Sequence, residues 1–161
     1  NVPYVGSCLG LQMATIEFCR NVLGMTGANS TEFEDNPEHA AVVFMPEISK
    51  THLGGTMRLG SRPTLWQHEG STIRKLYGPG EAVDERHRHR YEVNPDLIER
   101  IEEAGLVFVG KDDSGQRCEI FELDGHPYYV GVQFHPEFKS RPGKPSPPFL
   151  GLLKAATGQL N

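Results

Sequence analysis

The feature that most constrains the fold is a pair of widely separated segments. The apolar run Val2 to Val5 leads directly into Gly6-Ser7-Cys8-Leu9-Gly10. From Leu9 the apolar positions Leu9, Met13, Ile16, Phe18 and Val22 predict a helix running to about Leu23, before Gly24. Far downstream a second apolar run, Tyr128 to Phe134, ends in His135-Pro136-Glu137. The first segment is a strand, a tight turn and a helix with a thiol at the turn. The second sets an imidazole and a carboxylate at the end of another strand. These are the separated parts of a thiol nucleophile with its base and orienting group, and the chemistry expected is acyl transfer. The expectation requires folding to bring the Cys8 sulfur within proton-transfer reach of the His135 imidazole.

At 161 residues the chain fits a single domain, 1–161, with a real core. A net charge of -5 and a pI near 5.8 argue against a broad nucleic-acid or anionic-lipid surface, which needs clustered Lys and Arg. The basic stretch Arg86 to Arg90 is too short to reverse that. No apolar run approaches the roughly 20 residues that span a bilayer, so no membrane association is expected. Cys8, Cys19 and Cys118 are odd in number and widely spaced, which suggests neither a disulfide framework nor a zinc site and points to a reducing compartment, the cytoplasm.

Along the chain, residues 28 to 36 read as an exposed polar loop, and Ala40 to Met45 as a strand stopped by Pro46. Glu47 to Gly55 read as loop. Met57-Arg58-Leu59 and Thr64 to Trp66 read as two short strands separated by turn residues, and Thr72 to Leu76 as another short element. The middle third is thus expected to be an antiparallel insertion or lid. Asn94-Pro95 opens a helix through Ala104, stopped by Gly105, with Leu97, Ile98 and Ile101 as its buried stripe. Leu106 to Val109 reads as a strand. Gln116 to Leu123, the turn Asp124-Gly125 and Tyr128 to Phe134 predict a hairpin. The proline-rich stretch 141 to 148 is a stiff link to a last helix, Phe149 to Ala156.

A cysteine on a sharp strand-to-helix turn sits in a strained backbone, and Gly6 and Gly10 would remove Cβ atoms that collide there. The helix N-terminus supplies N–H donors, the first at Leu9, that can hold an oxyanion and lower the thiol pKa, so Cys8 is expected to be partly thiolate at neutral pH. His135 would take the thiol proton and pass it to a leaving amine, with Glu137 orienting the ring. Taken singly, Cys8 reads better as a small buried apolar residue and His135 as a satisfied core histidine; their joint placement reverses the odds. His87 and His89 alternate on one strand, but two ligands lack a third, and His39, His52, His68 and His126 show no matching spacing, so no metal is expected.

Gly6-Ser7-Cys8-Leu9-Gly10-Leu11-Gln12 together with Gln133-Phe134-His135-Pro136-Glu137 resembles the class I, triad-type glutamine amidotransferases. Ala28 to Phe33, Gly54 to Gly60 and Glu85 to Asn94 narrow the likeness to the glutaminase domains of the CTP synthase family, over nearly the whole chain. The resemblance implies an α/β fold with a mostly parallel central sheet and flanking helices, flavodoxin-like, lacking its N-terminal strands, plus an antiparallel lid or hairpin region. It implies a Cys8, His135 and Glu137 triad, Leu9 at the oxyanion, and Gln12, Glu32, Arg90 and the Tyr91 backbone on substrate L-glutamine. The chemistry agrees, since an α-ammonium wants a carboxylate such as Glu32 and an α-carboxylate a guanidinium such as Arg90. The segment Met45 to Gly60 corresponds to a mobile lid, with Arg58 tied to a GTP response. The resemblance further implies a synthetase (amidoligase) domain as partner, a homo-oligomer at full length, and ATP, Mg2+ and a GTP effector for the full-length enzyme, with no cofactor in this chain.

The family places several strands and a glycine-rich oxyanion loop ahead of the nucleophile, so the expectation is a fragment or an unusual short form, poorly active alone. Losing one oxyanion donor costs on the order of a hundredfold in turnover. No GxxxxGK[ST] phosphate loop is present, and the chain is not expected to make CTP unaided. Ser7 stands where the family often carries an aliphatic residue. Two other readings remain: a γ-glutamyl peptide hydrolase, against which the segment Arg86 to Asn94 speaks, and a non-catalytic, truncated interaction module.

Overall fold

The structure is a computed structural model that describes residues 1–45 and 57–160. The first strand, β1 (Tyr4–Ser7), turns at Cys8 into helix α1 (Leu9–Asn21), which buries Leu11, Ile16, Phe18 and Cys19. Strands β2 (Ala28–Ser30) and β3 (His39–Phe44) follow, then β4 (Arg58–Trp66), helix α2 (Thr72–Tyr77), β5 (Ala82–His89) and β6 (Tyr91–Val93). A 3-10 turn at Pro95–Leu97 leads into helix α3 (Ile98–Glu103), then β7 (Leu106–Lys111), β8 (Cys118–Leu123) and β9 (Tyr129–Val132). A second 3-10 turn, Pro136–Phe138, precedes helix α4 (Pro147–Ala156). No helix among the described residues is long and apolar enough to cross a membrane.

The strands form a six-stranded sheet in the order β1-β9-β8-β7-β4-β5 and a three-stranded sheet, β2-β3-β6. Successive side chains of a strand point to opposite faces, so Ile120 and Phe121 of β8 enter different cores. Phe121 joins Leu11, Ile16, Ile101 and Phe108 in one cluster, whereas Ile120 joins Ile73, Tyr128, Val130, Val132 and Phe134 in the other.

The α/β class holds, but the sheet is mixed rather than mostly parallel. In the six-stranded sheet only β1 and β9 run parallel, and in the smaller one only β2 and β3. The links from β7 to β8 and from β8 to β9 are short hairpin connections, whereas a parallel neighbour needs a long crossover. The middle of the chain departs further from expectation. Residues 58–66 form one nine-residue strand, paired with β5 from Arg58↔His89 to Leu65↔Ala82, rather than two short strands around a turn. Strand β7 meets β4 only at Leu65 and Trp66, so among the described residues β4 has no neighbour on that side at Pro63, where a proline is tolerated.

Two other readings change in detail. Ala28–Ser30, read as loop, pairs with β3 as a short parallel strand whose Ala28 and Ser30 are buried. Residues 72–77 are a helix because Ser71 caps it, accepting from the Arg74 N–H at 3.1 Å, while the Glu122 carboxylate accepts from Ile73 N–H at 2.7 Å. The predicted loop at Glu47 to Gly55 lies outside the described residues, as does most of the expected lid.

Candidate active site

Strand β1 delivers Cys8 to the site by the parallel ladder with β9, which sets Ser7 opposite Val132 and continues as a 2.8 Å bond from Cys8 N–H to the Val132 carbonyl. Cys8 has φ 51° and ψ -103°, and no other non-glycine residue has positive φ among those described. Such a conformation costs on the order of 1–3 kcal/mol and persists where the surroundings over-determine it. Gly6 is required by that crowding: a Cβ there would lie 2.4 Å from the Tyr4 hydroxyl and 2.7 Å from the Gly10 carbonyl carbon. Gly10 is not under the same constraint, since its Cβ would meet only the Tyr4 hydroxyl at 3.6 Å. The Ser7 hydroxyl donates to the Phe134 carbonyl at 3.1 Å.

Strand β9 carries the other half. Its extension delivers His135, whose backbone N–H is anchored to the Arg86 carbonyl at 2.8 Å, and Pro136 starts the 3-10 turn that brings Glu137 back to the ring. His135 Nδ1 lies 2.6 Å from Glu137 Oε1. A carboxylate only accepts, so Nδ1 carries the proton and Nε2 presents a lone pair. That Nε2 is buried and has no hydrogen-bond partner among the described residues. Cys8 and His135 therefore both stand just beyond the C-terminal ends of adjacent parallel strands, and the negative charge of Glu137 is felt at the sulfur.

The sulfur is half-buried, and burial pushes its pKa up rather than down. The Leu9 backbone N–H and the Gln133 side chain pull it down, but these do not outweigh desolvation and the nearby carboxylates Glu137 and Glu32. The expectation of a partly ionised resting thiol is thus corrected: the helix N-terminus acts in the predicted direction, but loss of water dominates. In this state Cys8 Sγ donates to the Arg88 carbonyl at 3.8 Å and accepts from Gln133 Nε2 at 3.7 Å.

A cavity of about 200 Å³ opens beside the thiol, lined by Cys8, Leu9, Gln12, Glu32, Arg90 and Tyr91 together with Met57, Arg88 and His89. All the residues expected around the substrate converge there. The volume suits a small polar molecule better than the ~300–1,000 Å³ of drug-sized sites. Gln12 is buried, and its Nε2 is already committed to the Tyr91 carbonyl at 2.9 Å and to Gln133 Oε1 at 3.3 Å. Arg58 is elsewhere: it does not line the cavity, and its guanidinium binds Glu119 Oε1 at 2.8 Å.

Sequence reasoning gave no role to Gln133, Arg88 or His89. Gln133 lies within the His135 motif, and the alternation along residues 86–90 is visible in the sequence, but which of those side chains turns inward is not. His87 and His89 are both buried and hydrogen-bond each other at 3.1 Å, while His89 Nδ1 donates to the Tyr91 carbonyl at 3.1 Å. Burial drives the pKa of His87 down to about 2 and that of His89 to about 4.

Comparison with known proteins agrees with this geometry. The class-I glutamine amidotransferase family model matches residues 1–155, and the chain belongs to that family. It is 60% identical over 160 residues to CTP synthase 2 of Xenopus laevis, covering 99% of this chain and 28% of the relative. It is 59% identical over 165 residues to CTP synthase 2 of Saccharomyces cerevisiae (strain ATCC 204508 / S288c), with the same coverage of 99% and 28%. The chain thus spans little more than a quarter of the curated relatives it matches. Among solved structures, the Trypanosoma brucei CTPS glutaminase domain with bound acivicin superposes with a TM-score of 0.91 at 38% identity, covering 98% of this chain and 61% of that one.

Proposed function

We propose that this chain is the glutamine-hydrolysing part of a CTP synthase. His135 Nε2 takes the Cys8 proton and the thiolate attacks the side-chain amide carbon of glutamine, giving a tetrahedral oxyanion that faces the Leu9 N–H. Collapse breaks the carbon–nitrogen bond, and the proton held on His135 goes to the departing nitrogen, which leaves as ammonia. Water, deprotonated by the same imidazole, then attacks the γ-glutamyl thioester, releasing glutamate and returning the sulfur. Glu137 holds the ring and stabilises its cationic form. Glu32 receives the substrate ammonium and Arg90 its α-carboxylate, with Gln12 and the Tyr91 backbone shaping the floor between them.

The observation that supports this reading is a strained thiol lining one pocket with Glu32 and Arg90, while an imidazole with an uncommitted Nε2 stands just beyond the neighbouring parallel strand. Similarity to CTP synthases over 99% of the chain supports delivery of the ammonia to a synthetase domain that aminates UTP in pyrimidine biosynthesis. ATP and Mg2+ belong to that domain, and no group of three metal-ligating side chains exists among the described residues here. The GTP response assigned to Arg58, homo-oligomerisation at full length and a cytoplasmic location, for which the three free cysteines argue, complete the proposal.

The test is glutamine hydrolysis by the full protein against the Cys8→Ala variant, with γ-glutamyl peptides as competing substrates. Glutamate release abolished in C8A and selective for glutamine is the expected result. Preference for the peptides would instead mark a γ-glutamyl hydrolase, and no turnover with no labelling of Cys8 by a glutamine-like electrophile would leave only an interaction module.

A further inference from the structure

The polar groups beneath the thiol form a directional chain. The Tyr91 carbonyl can only accept, so Gln12 must turn its Nε2 toward it, at 2.9 Å. The second hydrogen of that amide nitrogen points at Gln133 Oε1, 3.3 Å away. Gln133 is thereby fixed with its oxygen toward Gln12 and its own Nε2 toward Cys8 Sγ, at 3.7 Å. The other orientation would set two donors against each other at Gln12 and an oxygen lone pair against the sulfur. The residue is 1% exposed, and its backbone N–H is pinned to the Glu119 carbonyl at 2.8 Å. Burial and the bond to Gln12 hold its amide against the sulfur.

We propose that Gln133 is a positioning residue whose buried amide N–H holds the Cys8 sulfur and favours its thiolate over the thiol once the proton leaves. The proposal rests on the reading of Cys8 as nucleophile and adds to it a donor outside the triad and the oxyanion site. A donor to sulfur strengthens as charge develops there, whereas the Arg88 carbonyl on the other side of Cys8 serves only the protonated form. The two partners thus oppose each other, and departure of the proton to His135 leaves Gln133 as the one that gains. The direction of its effect on the Cys8 pKa, downward, agrees.

The experiment uses the full protein and reads alkylation of Cys8 by iodoacetamide as a function of pH, with peptide mass spectrometry resolving Cys8 from Cys19 and Cys118, which are buried. In Gln133→Leu the pH midpoint is expected to rise, and the rate at pH 7 to fall about tenfold, the loss expected for one hydrogen bond to a charged group. The plateau rate at high pH is expected to stay unchanged. Gln133→Glu, close in size but charged, is expected to raise the midpoint further. An unmoved midpoint in a variant that keeps Cys19 and Cys118 protected overturns the proposal. Loss of that protection in both variants also overturns it, by showing Gln133 to be a packing residue. Wild-type protein without glutaminase activity would defeat the functional reading instead, and this alkylation profile does not depend on it.

Discussion

His135 Nδ1 and Glu137 Oε1 are 2.6 Å apart, two residues along the chain and joined by the turn that Pro136 starts. The pair fixes the tautomer, and with it the direction in which Nε2 of the same ring faces. Glu137→Gln keeps the shape but removes the charge that stabilises the imidazolium. The Glu137 side chain is half exposed, at 50%, so water replaces part of that stabilisation. A fall in kcat of about a hundredfold with little change in KM is expected, smaller than the ~10⁴ seen where the orienting carboxylate is buried. Steady-state glutamine hydrolysis measures it, and a kcat within twofold of wild type would remove Glu137 from the site.

Gly6 and Gly10 flank Cys8 symmetrically in sequence but not in space. A methyl at Gly6 meets the Gly10 backbone and the Tyr4 hydroxyl, and backbone cannot step aside as a flexible side chain can. Gly6→Ala is expected to cost about 1–3 kcal/mol, the usual penalty of overpacking. Gly10→Ala, in the first turn of α1 with an open site, is expected to be neutral or stabilising by up to about 1 kcal/mol. Urea unfolding of the two variants gives the comparison, and equal effects would contradict the geometry.

What could be read from sequence is what local pattern encodes. The strand, turn and helix around Cys8 and the hairpin closed by Asp124-Gly125 are set by period and by turn residues within a dozen positions and formed as expected, whereas the helix opened by Pro95 starts as a 3-10 turn and is α-helical only over Ile98–Glu103. The long strand β4 was hidden because Gly60, Ser61, Arg62 and Pro63 read as a turn, and only pairing with β5 overrides that preference. Burial of Glu85, His87, His89 and Glu119 was equally hidden, because charged and imidazole side chains read as exposed unless their partners, distant in the chain, are known. The site divides the same way: the thiol and imidazole announce themselves by motif, but the gathering of Gln12, Glu32 and Arg90 around one cavity rested on family likeness. The raised thiol pKa depends on how much water the packed site excludes, which no spacing encodes.

Arg58 and Glu119 are a buried ion pair at 2.8 Å, with side chains 11% and 1% exposed, and Thr64 adds a hydroxyl to the same carboxylate. Burial raises the Glu119 pKa, and Arg58 is among the groups that hold it down. Arg58→Met strips that support from a carboxylate with no access to water and is expected to cost about 3–5 kcal/mol. Because the carboxyl then escapes its penalty by taking up a proton, the loss grows as pH rises. The double variant Arg58→Met with Glu119→Gln, which removes both charges of the pair, is expected to recover much of it. A double-mutant cycle in urea at pH 6 and pH 8 reads both effects, and additive losses would show the pair to be uncoupled.

His89 connects two of these networks, donating to the Tyr91 carbonyl and facing His87 through its other nitrogen. Burial lowers its pKa to about 4, with the Tyr91 bond opposing the shift and the nearby Arg58 guanidinium adding to it. The native pKa lies below the ordinary value of 6.5, so between those limits the unfolded chain binds the proton and the native state does not. Its neutral form is therefore favourable above pH 6.5, and stability is lost as pH falls toward 4. Glu92, whose pKa is raised to about 7 chiefly by burial, contributes the opposite slope over much of that range, so the wild-type profile alone does not isolate the histidine. The comparison with His89→Gln does, because Glu92 is common to both. Between pH 6.5 and 5, wild type is expected to lose about 1.5 kcal/mol more than the variant, a little less than the full ~1.36 kcal/mol per pH unit because the unfolded histidine is only half protonated at pH 6.5. Parallel urea-midpoint profiles for the two proteins would show instead that His89 titrates normally and is open to water.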